Sequence, residues 1–412
     1  MNVYSKRRKE LLNSIETDGT VVLFSGLSIN KSEDESYPFS VNRNFYYLTG
    51  LEEESMVLVL NKVGNDTREY LFILPYDEYM AKWVGGRILK EDAEKISEIS
   101  NINDYEDFPS FMASIFNRYR HNDEHKLYLD LWHYDANQAL TPALNFAKDV
   151  KEKHPAVEIK DIYSKICKMR LVKDEYEISC IKKAIHITNA GIKKMMALIK
   201  DGVNEMTLEG LFNFVLAQNL CKNTAFDTIC AGGKRATILH YHDNNQKLHD
   251  GEMFLCDLGA TYKNYCADIS RTFPVNGKFS DRQKEIYEVV LKAQKIVEEN
   301  AKPGITLRQL NQMVVDFYKE ELPKHGLNKD VSEYYFHGVS HYLGLDTHDV
   351  GSGMPITLEK GNVITNEPGL YIEDEGLGIR IEDDLLITDD GCEVLSIEIP
   401  KSIEDIEKVA NR

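Results

Sequence analysis

The chain has 412 residues, 42% hydrophobic and 28% charged, enough for ordinary globular cores and for two domains at roughly 100–200 residues each. A formal net charge of −18, from 67 acidic and 49 basic residues, gives a surface that repels phosphate backbones and excludes nucleic acid as a partner. No stretch approaches 18 uncharged apolar residues, so no membrane span is expected.

The first 16 residues alternate charged and apolar side chains without the apolar region of a signal peptide. The seven cysteines are odd in number and form no CxxC, so buried thiols in a reducing cytoplasm are expected. The basic run Lys6-Arg7-Arg8-Lys9 reads as a solvated helix face. Residues 20–24, 55–60, 69–74 and 126–129 read as short strands, and 89–97 and 141–148 as helices. Thr141 is a suitable N-cap with Pro142 at the first helical position. This is a βα alternation, and it ends near residues 161–170.

A long amphipathic helix follows over 174–199, with Ile178, Ile181, Ala184, Ile185 and Ile192 on one stripe. A second helix is expected over 207–219, capped by Thr207. From 228 to 398 the chain is strand-rich, apart from helical blocks at 281–301 and 307–321 that Pro303-Gly304 separates.

Four acidic side chains lie inside apolar strands. A tight turn centred on Tyr262-Lys263 would set Asp257 opposite Asp268 on one sheet face. A turn at Glu373-Asp374-Glu375-Gly376 would set Glu367 opposite Glu382, with Arg380 sharing the face of Glu382. Like charges directly opposed destabilise a sheet, and two carboxylates in one site push a pKa upward unless a cation intervenes. One such pair reads as a polar outer face; two, beside a histidine cluster, read as a metal site.

His337, His341 and His348, three of the chain's 12 histidines, fall in one glycine-punctuated stretch, and His240 precedes the first hairpin. Four carboxylates and a neutral imidazole balance two divalent cations. An oxygen-dominated site without thiolate favours Mn²⁺, with Co²⁺, Zn²⁺ or Fe²⁺ as alternatives. Cys256 alternates away from Asp257, whereas Cys266 would share the face of Asp268 as a packed thiol.

The segments Asp257-Leu-Gly, Asp268-Ile-Ser-Arg-Thr-Phe-Pro, His337-Gly-Val-Ser-His341, Glu367-Pro-Gly and Arg380-Ile-Glu382-Asp together resemble the motif set of aminopeptidase P, of the pita-bread metallopeptidase family. The stretch Asn44-Phe-Tyr-Tyr-Leu-Thr-Gly50 resembles its N-terminal domain, so the likeness spans nearly the whole chain. It implies an α+β protein: a smaller α/β N-terminal domain over 1–165 and a pita-bread catalytic domain over 166–412.

The resemblance also implies an enzyme, an Xaa-Pro aminopeptidase. It would remove the first residue from peptides with proline second, by a hydroxide held between two metal ions, expected to be Mn²⁺. Asp257 would chelate one ion, Asp268 and Glu382 would bridge both, and His341 and Glu367 would complete the other. Glu367 would also accept the proton. His240, His337 and His348 would contact substrate, and Arg380 and Tyr371 match further active-site positions. Trp83 resembles an aromatic that the family reaches across from another subunit, in a homodimer or homotetramer. Two alternatives accompany this reading: a prolidase restricted to Xaa-Pro dipeptides, and a non-catalytic binding module on the same fold. The chain departs from relatives at Gly232-Gly-Lys-Arg-Ala236, where they often carry Asn. Lys234 and Arg235 are therefore expected at the rim of the site.

Overall fold

The computed structural model describes residues 1–351 and 356–410. The chain divides into two compact units, Met1–Arg170 and Leu171–Arg412.

The first unit is built on a six-stranded sheet. Its strands are β1 (Gly19–Phe24), β2 (Val57–Val63), β3 (Asp66–Ile73), β4 (Ile102–Asp104), β5 (Lys126–Leu129) and β6 (Ile159–Asp161), ordered β4-β3-β2-β1-β5-β6. Strands β1 to β3 pair antiparallel, and the β3–β4, β1–β5 and β5–β6 pairs are parallel. The βα alternation is broken only at β2–β3, which are joined too closely to admit a crossover helix; helix Arg43–Thr49 separates β1 from β2. Val57, Val59, Phe72, Leu127 and Leu129 pack beneath Phe108, Met112 and Ile115 of helix Phe108–Tyr119.

The basic run is solvated only in part: Lys6 and Lys9 are exposed, but Arg7 and Arg8 are buried. It lies in helix Val3–Ser14, where Arg8 is fully buried and Arg7 is 3% exposed. Arg8 pairs with Glu69 at 2.8 Å and donates to the carbonyls of Leu48 and Ser97, both at 2.8 Å. Arg7 lies over the Tyr47 ring, 4.1 Å from its centroid. The guanidinium hydrogens satisfy carbonyls that would otherwise be left without donors in this core. Trp83 is 71% exposed, on helix Glu78–Val84, which buries none of its residues.

The second unit opens with helix Glu175–Leu198, closed at its N-terminus by a capping box between Asp174 and Glu177. The next helix, Glu205–Gln218, begins earlier than expected. Asn204, not Thr207, is its cap and accepts from the amide of Met206. The strands that follow are β7 (Ile229–Gly232), β8 (Met253–Leu258), β9 (Thr261–Tyr262), β10 (Tyr265–Cys266), β11 (Ile269–Pro274), β12 (Val363–Asn366), β13 (Gly369–Ile372), β14 (Leu377–Arg380), β15 (Asp383–Ile387) and β16 (Cys392–Val394). They form three-stranded sheets β11-β8-β7 and β12-β15-β16 and two-stranded ribbons β10-β9 and β13-β14. Helices Asp281–Asn300 and Leu307–Glu321 each start with a capping box, at Ser280 and Thr306.

The first hairpin is slipped by two residues from the expected register: Asp257 faces Ser270, not Asp268. Lys263 and Asn264 both adopt positive φ (49° and 62°), so the turn centres one residue later, with the signs a type I′ turn requires. A two-residue slip preserves the face, because side chains alternate with period two. Asp268 therefore lies diagonally from Asp257 on the same side. Gly259 permits this crossing, since a Cβ there would stand 1.8 Å from the carbonyl oxygen of Ala267.

The second hairpin has the expected register. The pairs Gly369↔Arg380 and Asn366↔Asp383 belong to one continuous alignment, in which Glu367 faces Glu382. The ladder opens between these pairs. Pro368 has no amide hydrogen to give, and the freed amides of Glu367 and Glu382 donate to Val339 and Ser270 instead, at 2.9 and 3.0 Å.

Candidate metal centre and substrate cavity

Strands β8, β11 and β14 and the glycine-rich 337–348 segment converge on a cavity of about 560 Å³. Asp257, Asp268, His341, Glu367, Glu382, Arg380, His240, His337 and His348 all line it, so these nine reach one space, while Tyr371 stands behind the lining. Asp268, His341 and Glu382 offer ligand atoms within 4.8 Å of one another. His341 Nε2 lies 3.4 Å from Asp268 Oδ2 and 3.4 Å from Glu367 Oε1. Its Nδ1 donates to the Tyr342 carbonyl at 3.1 Å, and the tautomer this fixes turns the Nε2 lone pair toward the carboxylates.

Asp257 stands slightly apart. Its Oδ2 accepts from Arg380 Nη2 at 2.6 Å, while Oδ1 is buried with no partner among the described residues. Arg380 also donates from Nε to Ser270 Oγ at 2.8 Å, and Ser270 passes its own hydrogen to Glu382 at 2.7 Å. Glu367 accepts from Thr365 at 3.4 Å, and the Asp268 amide donates to Asp384 at 3.3 Å.

Burial, and then the charges of Asp257, Asp384 and Glu367, hold Asp268 well above the ordinary carboxylate range. Burial and then Asp268 do the same to Glu382. Glu367 is raised chiefly by burial. Arg380 opposes these shifts without cancelling them. Fully buried carboxylates pushed this far are short of positive charge, and that deficit, with the idle Oδ1 of Asp257, fits a divalent pair.

His337 is held neutral, its pKa pushed down to about 3 by burial and then by Arg380. Its Nδ1 lies 2.8 Å from the Gly338 carbonyl and must donate there, so Nε2 accepts from the Tyr371 hydroxyl at 2.9 Å. That hydroxyl accepts from Arg380 Nη1 at 2.8 Å, completing a chain Arg380–Tyr371–His337. His348 stands edge-on to His341 with ring centroids 4.4 Å apart, and burial lowers its pKa.

Cys266 is a packed thiol, as expected, buried with its sulfur 3.8 Å from the Leu345 carbonyl and not lining the cavity. The Gly-Lys-Arg stretch differs from expectation. Arg235 is not a rim residue, because it folds back onto buried Glu205 at 2.7 Å. Lys234 pairs with Glu373, and both are largely exposed. Sequence reasoning missed Ser270, Thr365 and Asp384, whose partners lie up to 116 positions away. It also missed the wall formed by Phe226, Ile229, Leu239 and His242. Ser270 and Thr365 carried a local signal, each a polar residue two places from a candidate ligand, Asp268 and Glu367 respectively.

The fold and this carboxylate–imidazole cluster define a two-domain metallopeptidase. Residues 179–389 match the model of metallopeptidase family M24, and residues 4–123 match that of the aminopeptidase P N-terminal domain. The Haemophilus influenzae Xaa-Pro aminopeptidase is 34% identical over 99% of this chain and 97% of its own length. A solved Bacillus anthracis protein proposed to be an aminopeptidase P superposes with a TM-score of 0.96 at 44% identity, covering 99% of this chain and 98% of that one. Escherichia coli aminopeptidase P has been solved with the inhibitor Pro-Leu and, zinc-substituted, with product. Both structures give a TM-score of 0.90 at 30% identity, over 99% of this chain and 98% of that one. The chain belongs to metallopeptidase family M24 and, within it, to the aminopeptidase P type, with a pita-bread domain following the N-terminal domain.

Proposed function

We propose that this chain is an Xaa-Pro aminopeptidase that uses two divalent ions, expected to be Mn²⁺. The observation that carries the reading is the cluster of Asp257, Asp268, His341, Glu367 and Glu382 on the floor of a peptide-sized cavity. Asp257 would hold one ion, Asp268 and Glu382 both, and His341 and Glu367 the other. Such ions compensate the crowded charge, make water a nucleophile at neutral pH and polarise a carbonyl.

The chain's own residues supply the rest. Glu367 takes the proton of the attacking water. His240 and His348 steady the carbonyl oxygen as it gains charge, the task of preorganised donors. His337, fixed by Tyr371 and Arg380, keeps that side of the cavity neutral and rigid. The Xaa–Pro bond is a tertiary amide without N–H, so the site needs a surface for the ring more than an acceptor for a hydrogen. Phe226, Ile229 and Leu239 offer that surface.

In this reading residues 1–165 form the aminopeptidase P-like domain and 166–412 the catalytic domain. The protein works in the cytoplasm as a homodimer or homotetramer. Seven cysteines that form no disulfide with one another fit that compartment, and the exposed face of Tyr79, Trp83 and Val84 supports self-association. Among the described residues no helix is long and apolar enough to cross a membrane.

Matched kinetics on an Xaa-Pro dipeptide and an Xaa-Pro-Xaa tripeptide, with metal analysis, test the proposal. The expected result is tripeptide cleavage that requires metal and yields the first residue free. Activity confined to the dipeptide would identify a prolidase. Absence of both bound metal and Mn²⁺ stimulation would leave a binding module.

A further inference from the structure

The loop that carries His240 runs from residue 232 to residue 246 and has almost no regular structure beyond the short helical turn Gly233–Thr237. Its shape is set from below by one side chain. Glu205, the first residue of helix Glu205–Gln218, is fully buried. Its Oε1 accepts from the Gly232 amide at 2.8 Å and from Arg235 Nε at 2.7 Å. Its Oε2 accepts from the Tyr241 hydroxyl at 2.9 Å and from the Gln246 amide at 3.0 Å. The four donors come from both ends of the loop, from its helical turn and from the residue next to His240.

A second clamp lies under the helical turn. The carbonyl of Ala236 would stand 2.0 Å from a Cβ built on Gly378 of β14, so only glycine there lets the turn rest on the strand that ends in Arg380. His240 is thus referenced to Arg380 through packing and to Glu205 through four hydrogen bonds. Neither Glu205 nor Arg235 lines the cavity.

We infer that Glu205 is a positioning residue for His240: its buried carboxylate, neutralised by Arg235, holds the 232–246 loop so that the imidazole faces the scissile carbonyl. Within the Gly-Lys-Arg stretch, Arg235 is then the cationic half of this anchor, while Lys234 pairs with Glu373. The inference rests on the reading of His240 as a substrate contact. A carboxylate that gathers four donors is a rigid template, and displacement of a contacting group by about 1 Å can cost about 100-fold in rate.

The test is a double-mutant cycle on the metal-loaded enzyme with an Xaa-Pro-Xaa tripeptide. Glu205→Gln keeps the shape but presents an amide N–H₂ where two donors now point. It is expected to lower kcat/KM by about 10- to 100-fold, mainly through kcat, with bound metal unchanged. In a His240→Ala background the same substitution should cost less than about threefold, since nothing remains to misplace. Equal losses in both backgrounds, or full activity of Glu205→Gln, would overturn the inference. If Glu205→Gln does not fold, Arg235→Met, which removes one of the four donors, is to be put through the same cycle with the same two outcomes. The reading of His240 has its own arm: unchanged kinetics of His240→Ala alone would refute that reading whatever Glu205 does.

Discussion

Arg380 and Asp257 form a buried pair in which Nη2 and Oδ2 are 2.6 Å apart, and Asp257 is left with its other oxygen unused. The arginine thus aims a ligand and lends charge to a cluster otherwise negative. Arg380→Met should lower kcat/KM by about 100- to 1000-fold, the usual cost of losing a preorganised charge beside a reacting carbonyl. Bound metal should not fall, since the ions then carry the compensation alone. Elemental analysis with kinetics checks this; loss of both ions would make Arg380 part of the metal cage itself.

Asp268 and Glu382 are the two carboxylates proposed to serve both ions. Asp268→Ala or Glu382→Ala should bring turnover to background, with at most one ion per chain. Near-normal activity in either variant would refute the two-ion assignment.

The raised carboxylates make a signed prediction about pH. In metal-free protein Asp268, Glu367 and Glu382 keep protons that the unfolded chain loses just above pH 4, so their contribution to stability falls as pH rises. Bound ions hold the same groups ionised and reverse the sign. The gain in Tm on adding Mn²⁺ to stripped protein should therefore grow between pH 5 and pH 8. A constant or shrinking gain would show that these groups do not bind the metal.

Asp383 shows the opposite shift. Despite burial, Arg271 and Lys401, both 2.7 Å away, bring its pKa down to about 2. Its contribution is present above the unfolded value near 3.8 and is lost as pH falls toward 2. Asp383→Asn should cost about 3–5 kcal/mol by leaving two cations short of a partner. Urea unfolding at pH 7 and at pH 3 measures it, and the penalty should shrink at the lower pH.

Legibility in the sequence followed the range of the interaction. The Glu367–Glu382 register was readable because acidic turn residues and Gly376 mark its centre. The Asp257 hairpin was misread by two residues because the turn centres on Lys263-Asn264 and not on Tyr262-Lys263; Asn264, which tolerates positive φ better than Tyr262, was the local signal passed over. Period-two alternation still delivered the right face, so the ligand set survived the error. Arg8, expected on a solvated face, and Arg235, expected at the rim of the site, were misread because charge predicts exposure until a distant partner is known. Their partners, Glu69 and Glu205, are 61 and 30 residues away. Ser270 and Asp384 act through the same kind of distant contact, whereas Thr365 reaches Glu367 only two residues along the chain.

The short turn Glu373-Asp374-Glu375-Gly376 touches no candidate ligand, yet it works as a ruler. The pair Ile372–Leu377 closes it, and a change there that shifted this pairing by one residue would turn Arg380 and Glu382 away from the cavity and Ile379 and Ile381 into it. Residues added to the tip are harmless as long as that closing pair stays matched, so the parity of the pairing, and not the length of the loop, is what the site depends on.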